Sequence, residues 1–229
     1  MDATRSAFVL VAALLPPSPP LMRLPSRLRV LAVGLLATLI AQPSYAQLGV
    51  TVQPTTYFSG DGPWTLGFRF DVSSPFTVNS LGAFDRFFDG LATSHAVGIW
   101  DATGNLLVSG TVAAGTSATL LGGFRMTAVT PYTLAIGTGY RVGAADFGTV
   151  DDYVLTSVVT NSAAISYAGS AFAQGAGLID PVQFNGNSSG YFGANFAGDV
   201  VATPEPASIA LLATGLIGVA GFARRRRQV

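Results

Sequence analysis

Trp64-Thr65-Leu66-Gly67-Phe68-Arg69-Phe70-Asp71-Val72 decides the fold. Its even positions are all apolar, and its odd positions are Thr, Gly, Arg and Asp. Side chains of an extended chain point alternately to opposite faces, so this period of two is that of a strand with one buried face. The same rhythm recurs on either side. Leu106, Val108 and Val112 share a phase with Gly110; Phe124, Met126 and Ala128 alternate with Arg125 and Thr127; Tyr140, Val142 and Ala144 alternate with Arg141 and Gly143. Residues 76–84, 95–100, 153–159, 164–167 and 190–196 are shorter candidates. Turn-forming clusters separate these runs: Gly60-Asp61-Gly62-Pro63, Asp89-Gly90, Asp101-Ala102-Thr103-Gly104, Gly122-Gly123 and Asn185-Gly186-Asn187. Short strands spaced this closely predict an all-β fold, an antiparallel β-sandwich with jelly-roll-like winding, over residues 47–202. No long stretch there has a helical period. Residues 168–199 are rich in Gly, Asn and Ser and are expected to loop over the surface.

Composition sets this domain apart from its flanks. The chain has 229 residues, of which only 10% are charged, and a mean hydropathy of +0.48; a soluble domain carries about 25% charge. Twelve Arg balance twelve Asp plus Glu, and there is no Lys. Residues 47–203, however, hold four Arg (Arg69, Arg86, Arg125, Arg141) against ten Asp and no Glu, a net of −6. An acidic domain between basic, apolar ends argues against a nucleic-acid partner, which requires a basic face. The absence of Cys excludes a disulfide scaffold, a thiol nucleophile and a Cys-ligated metal.

The ends read as addresses. Arg23, Arg27 and Arg29 precede the apolar run 30–40, then Pro43 and the small-residue site Ser44-Tyr45-Ala46. This is the charged, apolar and cleavage-site order of an export signal over residues 1–46, with a cut expected between Ala46 and Gln47. Residues 1–21 fit that pattern poorly, which makes Met22 an alternative start. At the other end, residues 207–223 are 17 uncharged residues followed by Arg224, Arg225, Arg226 and Arg227. As a helix this run would be about 25 Å long, enough for a thin hydrocarbon core, and the arginines would stay on the cytoplasmic side as a stop. Pro204-Glu205-Pro206 stands just before it and favours an extended peptide.

This order of motif, apolar helix and terminal Arg cluster resembles the PEP-CTERM protein-sorting signal of Gram-negative bacteria, over residues 203–229. The resemblance implies an exported precursor held transiently in the inner membrane and processed near Pro204-Glu205-Pro206 by an integral-membrane exosortase. It also implies a cell-surface or extracellular destination in an exopolysaccharide or biofilm setting. Thr203 departs mildly from the usual Val. Residues 64–148 are similar to a β-sandwich module of unassigned function in secreted bacterial proteins, most recognisably in Gly98-Ile99-Trp100-Asp101-x-x-Gly104-x-Leu106-Leu107.

Little in the domain promises chemistry. His95 is the one His of the chain, and it lies in a strand-like run that favours a structural role. Asp is expected mainly at turns, so no catalytic residue and no enzyme activity are expected. No cofactor is expected either, with a structural Ca²⁺ as the alternative, for which Asp85, Asp89, Asp101 and Asp151-Asp152 are the candidate oxygen ligands. The most distinctive loop is Asp85-Arg86-Phe87-Phe88-Asp89-Gly90. Phe87 and Phe88 could stack on sugar rings while Asp85 and Asp89 accept hydroxyl hydrogen bonds; the alternative has a Phe capping the sandwich. The expectation is therefore a structural or adhesive surface protein, with a carbohydrate-binding module or a secreted hydrolase as rivals.

Overall fold

The computed structural model describes residues 46–185 and 190–201, together with Gly215. The export-signal residues before Ala46, the motif Pro204-Glu205-Pro206, the proposed span apart from Gly215, and the cluster Arg224 to Arg227 lie outside the described residues. Among the described residues no helix is long and apolar enough to cross a membrane.

The domain is all-β. Its strands are β1 (Gln47–Leu48), β2 (Val50–Phe58), β3 (Trp64–Val72), β4 (Phe76–Phe84), β5 (His95–Trp100), β6 (Leu106–Val112), β7 (Thr119–Leu121), β8 (Phe124–Leu134), β9 (Gly137–Phe147), β10 (Tyr153–Asn161), β11 (Ile165–Gln174), β12 (Gln183–Asn185) and β13 (Ala194–Val200). They form a five-stranded sheet in the order β1-β13-β4-β8-β7, a six-stranded sheet in the order β12-β11-β3-β9-β5-β6, and a two-stranded ribbon of β10 and β2. Every pairing is antiparallel.

Alternation in β3 works as its sequence dictates: Leu66, Phe68, Phe70 and Val72 are buried in the core. Phe196 of β13 brings the two large sheets together. Its ring lies 4.8 Å from Phe70 and 6.2 Å from Phe68, both of the opposite sheet, and 5.8 Å from Phe76 of its own sheet. Fully burying a Phe removes enough apolar surface from water to stabilise by about 1.5–3 kcal/mol, and seven are fully buried among the described residues. Backbones also approach closely. A Cβ on Gly67 would sit on the Val142 carbonyl of β9, and one on Gly198 on the Thr77 carbonyl of β4.

Two expectations are corrected. Residues 168–199 are not a surface loop: β11 runs through them to Gln174 and β13 starts at Ala194. The small residues are there because space is short, with Ala171, Ala173, Ala194 and Ala197 all buried. Leu106 does not share the inward phase of Val108. A register shift between Ile99 and Trp100 pairs Trp100 with Leu106 and Ile99 with Val108, and the extra residue turns Leu106 outward, 49% exposed. Strand β2 shows where Pro is tolerated in a strand. It carries Pro54 but belongs to a two-stranded ribbon, where every strand is an edge and a missing donor is tolerated.

Candidate functional site

The loop after β4 is held from beneath by a buried ion pair. Arg125 occupies an odd, outward position of β8, yet it is 6% exposed because the loop covers it. Its Nε donates to Asp85 Oδ2 at 2.8 Å, Nη2 to the Phe88 carbonyl at 2.6 Å, and Nη1 to the carbonyls of Thr116 and Ala118. Asp85 Oδ2 also accepts from the Gly90 N–H at 3.0 Å. Thus the loop closes on itself around one guanidinium. Arg86 points the other way: it pairs with Asp152 and lies over the rings of Tyr57 at 4.3 Å and Phe87 at 4.6 Å.

Two consequences reach the surface. Phe88 has φ +62°, a left-handed conformation that an aromatic residue adopts only when its surroundings enforce it. Phe87 and Phe88 are 67% and 57% exposed, so neither caps the sandwich core. Asp89 is exposed beside them, and its carboxylate makes no hydrogen bond or ion pair among the described residues. Of the four loop residues singled out from sequence, Phe87, Phe88 and Asp89 face solvent and Asp85 does not.

Next to the loop lies a buried polar clasp. His95 is fully buried, stacked on Phe147 at 4.2 Å between ring centroids. Its Nδ1 is 2.7 Å from the Ala145 carbonyl and its Nε2 is 3.0 Å from Asp151 Oδ2. Both ring nitrogens therefore face oxygen atoms. Asp151 also accepts from the N–H groups of Ala92 and Thr93 and from the Thr93 hydroxyl. Burial alone would raise the Asp151 pKa. The hydrogen bonds from His95, Ala92 and Thr93, with the attraction of His95, outweigh that and hold it below the usual carboxylate range.

The candidate calcium ligands, Asp89 apart, are held by partners within the protein. Asp85, Asp151 and Asp152 line one depression with Asp89, but the first three are committed to Arg125, His95 and Arg86. Asp101 folds its own turn, accepting from the N–H groups of Thr103 and Asn105 and from both their side chains. Those bonds, led by the Asn105 side chain, push its pKa far below the usual range. No group of three or more His, Asp or Glu among the described residues is placed to hold a metal ion.

Sequence reasoning missed a cleft of about 310 Å³ lined by Phe58, Asp61, Trp64, Leu66, Tyr153, Leu155, Phe172 and Tyr191. It opens where the β2–β10 ribbon meets β3 and β11. Trp64 Nε1 donates to the Asp61 carbonyl at 3.0 Å, and the Tyr153 hydroxyl donates to Asp61 Oδ2 at 3.1 Å. Burial first, and then the neighbouring Asp61 charge, push the Tyr153 phenol well above its usual pKa, so it stays a donor. Tyr191 has φ +59°, a second aromatic residue in the left-handed region. The one local signal was Trp64 directly after the turn containing Asp61; the other walls arrive from up to 130 residues away.

Comparison with known proteins places both parts of the chain. The family described as a domain of unknown function (DUF4082) matches residues 51–199. The chain belongs to this family. The DUF4082 match covers the strands from β2 to β13 almost in full. The PEP-CTERM protein-sorting motif matches residues 202–227. That motif marks a membrane-anchored precursor, exported and sorted to the cell surface by an exosortase. No curated protein and no solved structure matches the chain.

Proposed function

We propose that the DUF4082 domain of this chain is a non-catalytic adhesive module of the extracellular matrix, which grips exopolysaccharide through Phe87 and Phe88. The observation that carries this reading is the exposed Phe pair on a loop fixed by the Arg125–Asp85 pair. A loop that already holds its bound shape loses little entropy on binding. Aromatic faces stack on the apolar faces of sugar rings, and Asp89 beside them can accept hydroxyl hydrogen bonds. The backbone strain at Phe88 costs about 1–3 kcal/mol, and such strain clusters at ligand sites.

In this account residues 1–46 open the export route, and a cut between Ala46 and Gln47 frees the domain. The span 207–223 then holds the precursor in the inner membrane, with Arg224 to Arg227 on the cytoplasmic side, until an exosortase acts near Pro204-Glu205-Pro206. The fold supports these boundaries, because β1 begins at Gln47 and β13 ends at Val200. The nested pairing of β3 with β9 and of β4 with β8 supports the jelly-roll winding.

Retention of the exported protein on immobilised exopolysaccharide from the producing cells tests the adhesive reading. Replacing both Phe87 and Phe88 by Ala should weaken retention about tenfold or more, since an aromatic contact contributes about 0.5–1.5 kcal/mol beyond its area. Unchanged retention would overturn the reading.

A further inference from the structure

The cleft between the ribbon and β3 shares no residue with the Asp85–Gly90 loop, and its chemistry differs. Five of its eight lining residues are aromatic, and its one charged group is the Asp61 carboxylate. Among the described residues no Arg or His lines it, and the chain has no Lys. The rings meet at steep angles in sequence around the opening: Phe58 and Tyr153 at 63°, Tyr153 and Tyr191 at 56°, Tyr191 and Phe172 at 68°, Phe172 and Trp64 at 76°. Planes inclined in this way form the walls of a box, whereas a flat platform for a sugar ring would be a single exposed face.

We propose that this box binds a small organic cation, an alkylammonium group of the trimethylammonium kind. Three properties of the site favour that ligand over a neutral one. Aromatic faces carry negative quadrupole density and attract a cation within about 6 Å. Methylated ammonium sheds water easily and suits apolar walls, unlike a hydroxylated ring, which needs several hydrogen-bond partners. Asp61 supplies an unbalanced negative charge at the rim. Its side chain is held in place by Tyr153, and among the described residues no Arg or His pairs with it. The volume of about 310 Å³ is at the small end of ligand pockets, as a compact cation requires. The left-handed backbone at Tyr191 holds one wall at a strained position, again the mark of an enforced site.

Titration of the exported protein with choline chloride, followed by calorimetry and by Trp fluorescence, tests the proposal. The chain has two Trp, and Trp100 is buried away from the cleft residues, so a change in emission reports on Trp64. Choline should bind saturably, and its uncharged isostere 3,3-dimethylbutan-1-ol should bind at least tenfold more weakly. Asp61→Asn should weaken choline binding about tenfold and leave the isostere unchanged. A parallel arm with phosphatidylcholine vesicles tells a lipid headgroup from a dissolved cation. No saturable binding of choline, or equal binding of choline and its isostere, would overturn the proposal. Unchanged polysaccharide retention in the double variant Phe87→Ala, Phe88→Ala with choline binding intact would overturn the adhesive reading and leave this site standing, so the two readings fail separately.

Discussion

Arg125 pins a loop to a sheet through Asp85, Arg141 does so through Asp180 with two bonds of 2.6 and 2.7 Å, and Arg86 ties two loops together through Asp152. In a chain without Cys they provide the long-range cross-links that disulfides provide elsewhere. Their partners are all Asp, whose short side chain gives up less rotamer entropy than Glu. The sequence shows the loop Asp85 to Gly90 but not its anchor. Arg125 looks like an ordinary outward residue of β8, and only the fold brings it 40 positions back to Asp85. For the same reason Asp85 was read as a ligand when it is a strut. The Asp151–His95 clasp leads to a pH prediction. Because the folded Asp151 pKa is depressed, its contribution is present above the unfolded value of about 3.9 and is lost as pH falls through the folded value. Asp151→Asn should cost about 2–3 kcal/mol at pH 7, the worth of hydrogen bonds to a charged group, and should flatten the loss of stability below pH 4. Urea unfolding of both proteins from pH 3 to 7 measures it, and parallel curves would contradict it.

At the level of elements, alternation and turn chemistry were enough to locate β3, β4, β5 and β6 to the residue, because each is bounded by Gly, Asp or Pro clusters and carries large side chains on its inner face. Strands built from small residues were less legible. Residues 168–174, most of β11, were assigned to a loop because Ala168, Gly169, Ser170 and Ala171 carry no visible period. Bulges escaped as well: the irregularity opposite Asn79 in β4 absorbs Pro131 of β8, and the one opposite β5 reverses Leu106. Close approach of strands gives a further prediction. Gly67→Ala introduces a Cβ onto the Val142 carbonyl, so β3 and β9 must separate or twist. A loss of about 1–3 kcal/mol follows from overpacking, to be read from chemical denaturation. A neutral result would mean that the sheet centre is slack.

For the whole molecule, the division of labour is a matter of charge and polarity. The sorting tail and residues 1–46 are apolar and rich in Arg, while the domain between them is acidic and closed around a Phe core. That contrast was legible from composition and motif order alone, because sorting machinery reads short linear segments. The aromatic cleft was not, since it exists only once the ribbon packs beside β3 and β11. The most direct test of the central claim is the intact mass of the protein recovered from the cell-surface and extracellular fractions. The account predicts a species that begins at Gln47 and has lost residues 207–229, and the same measurement on Glu205→Ala should find the tail retained in the inner membrane. A full-length chain of 229 residues recovered from the cytosol would contradict it.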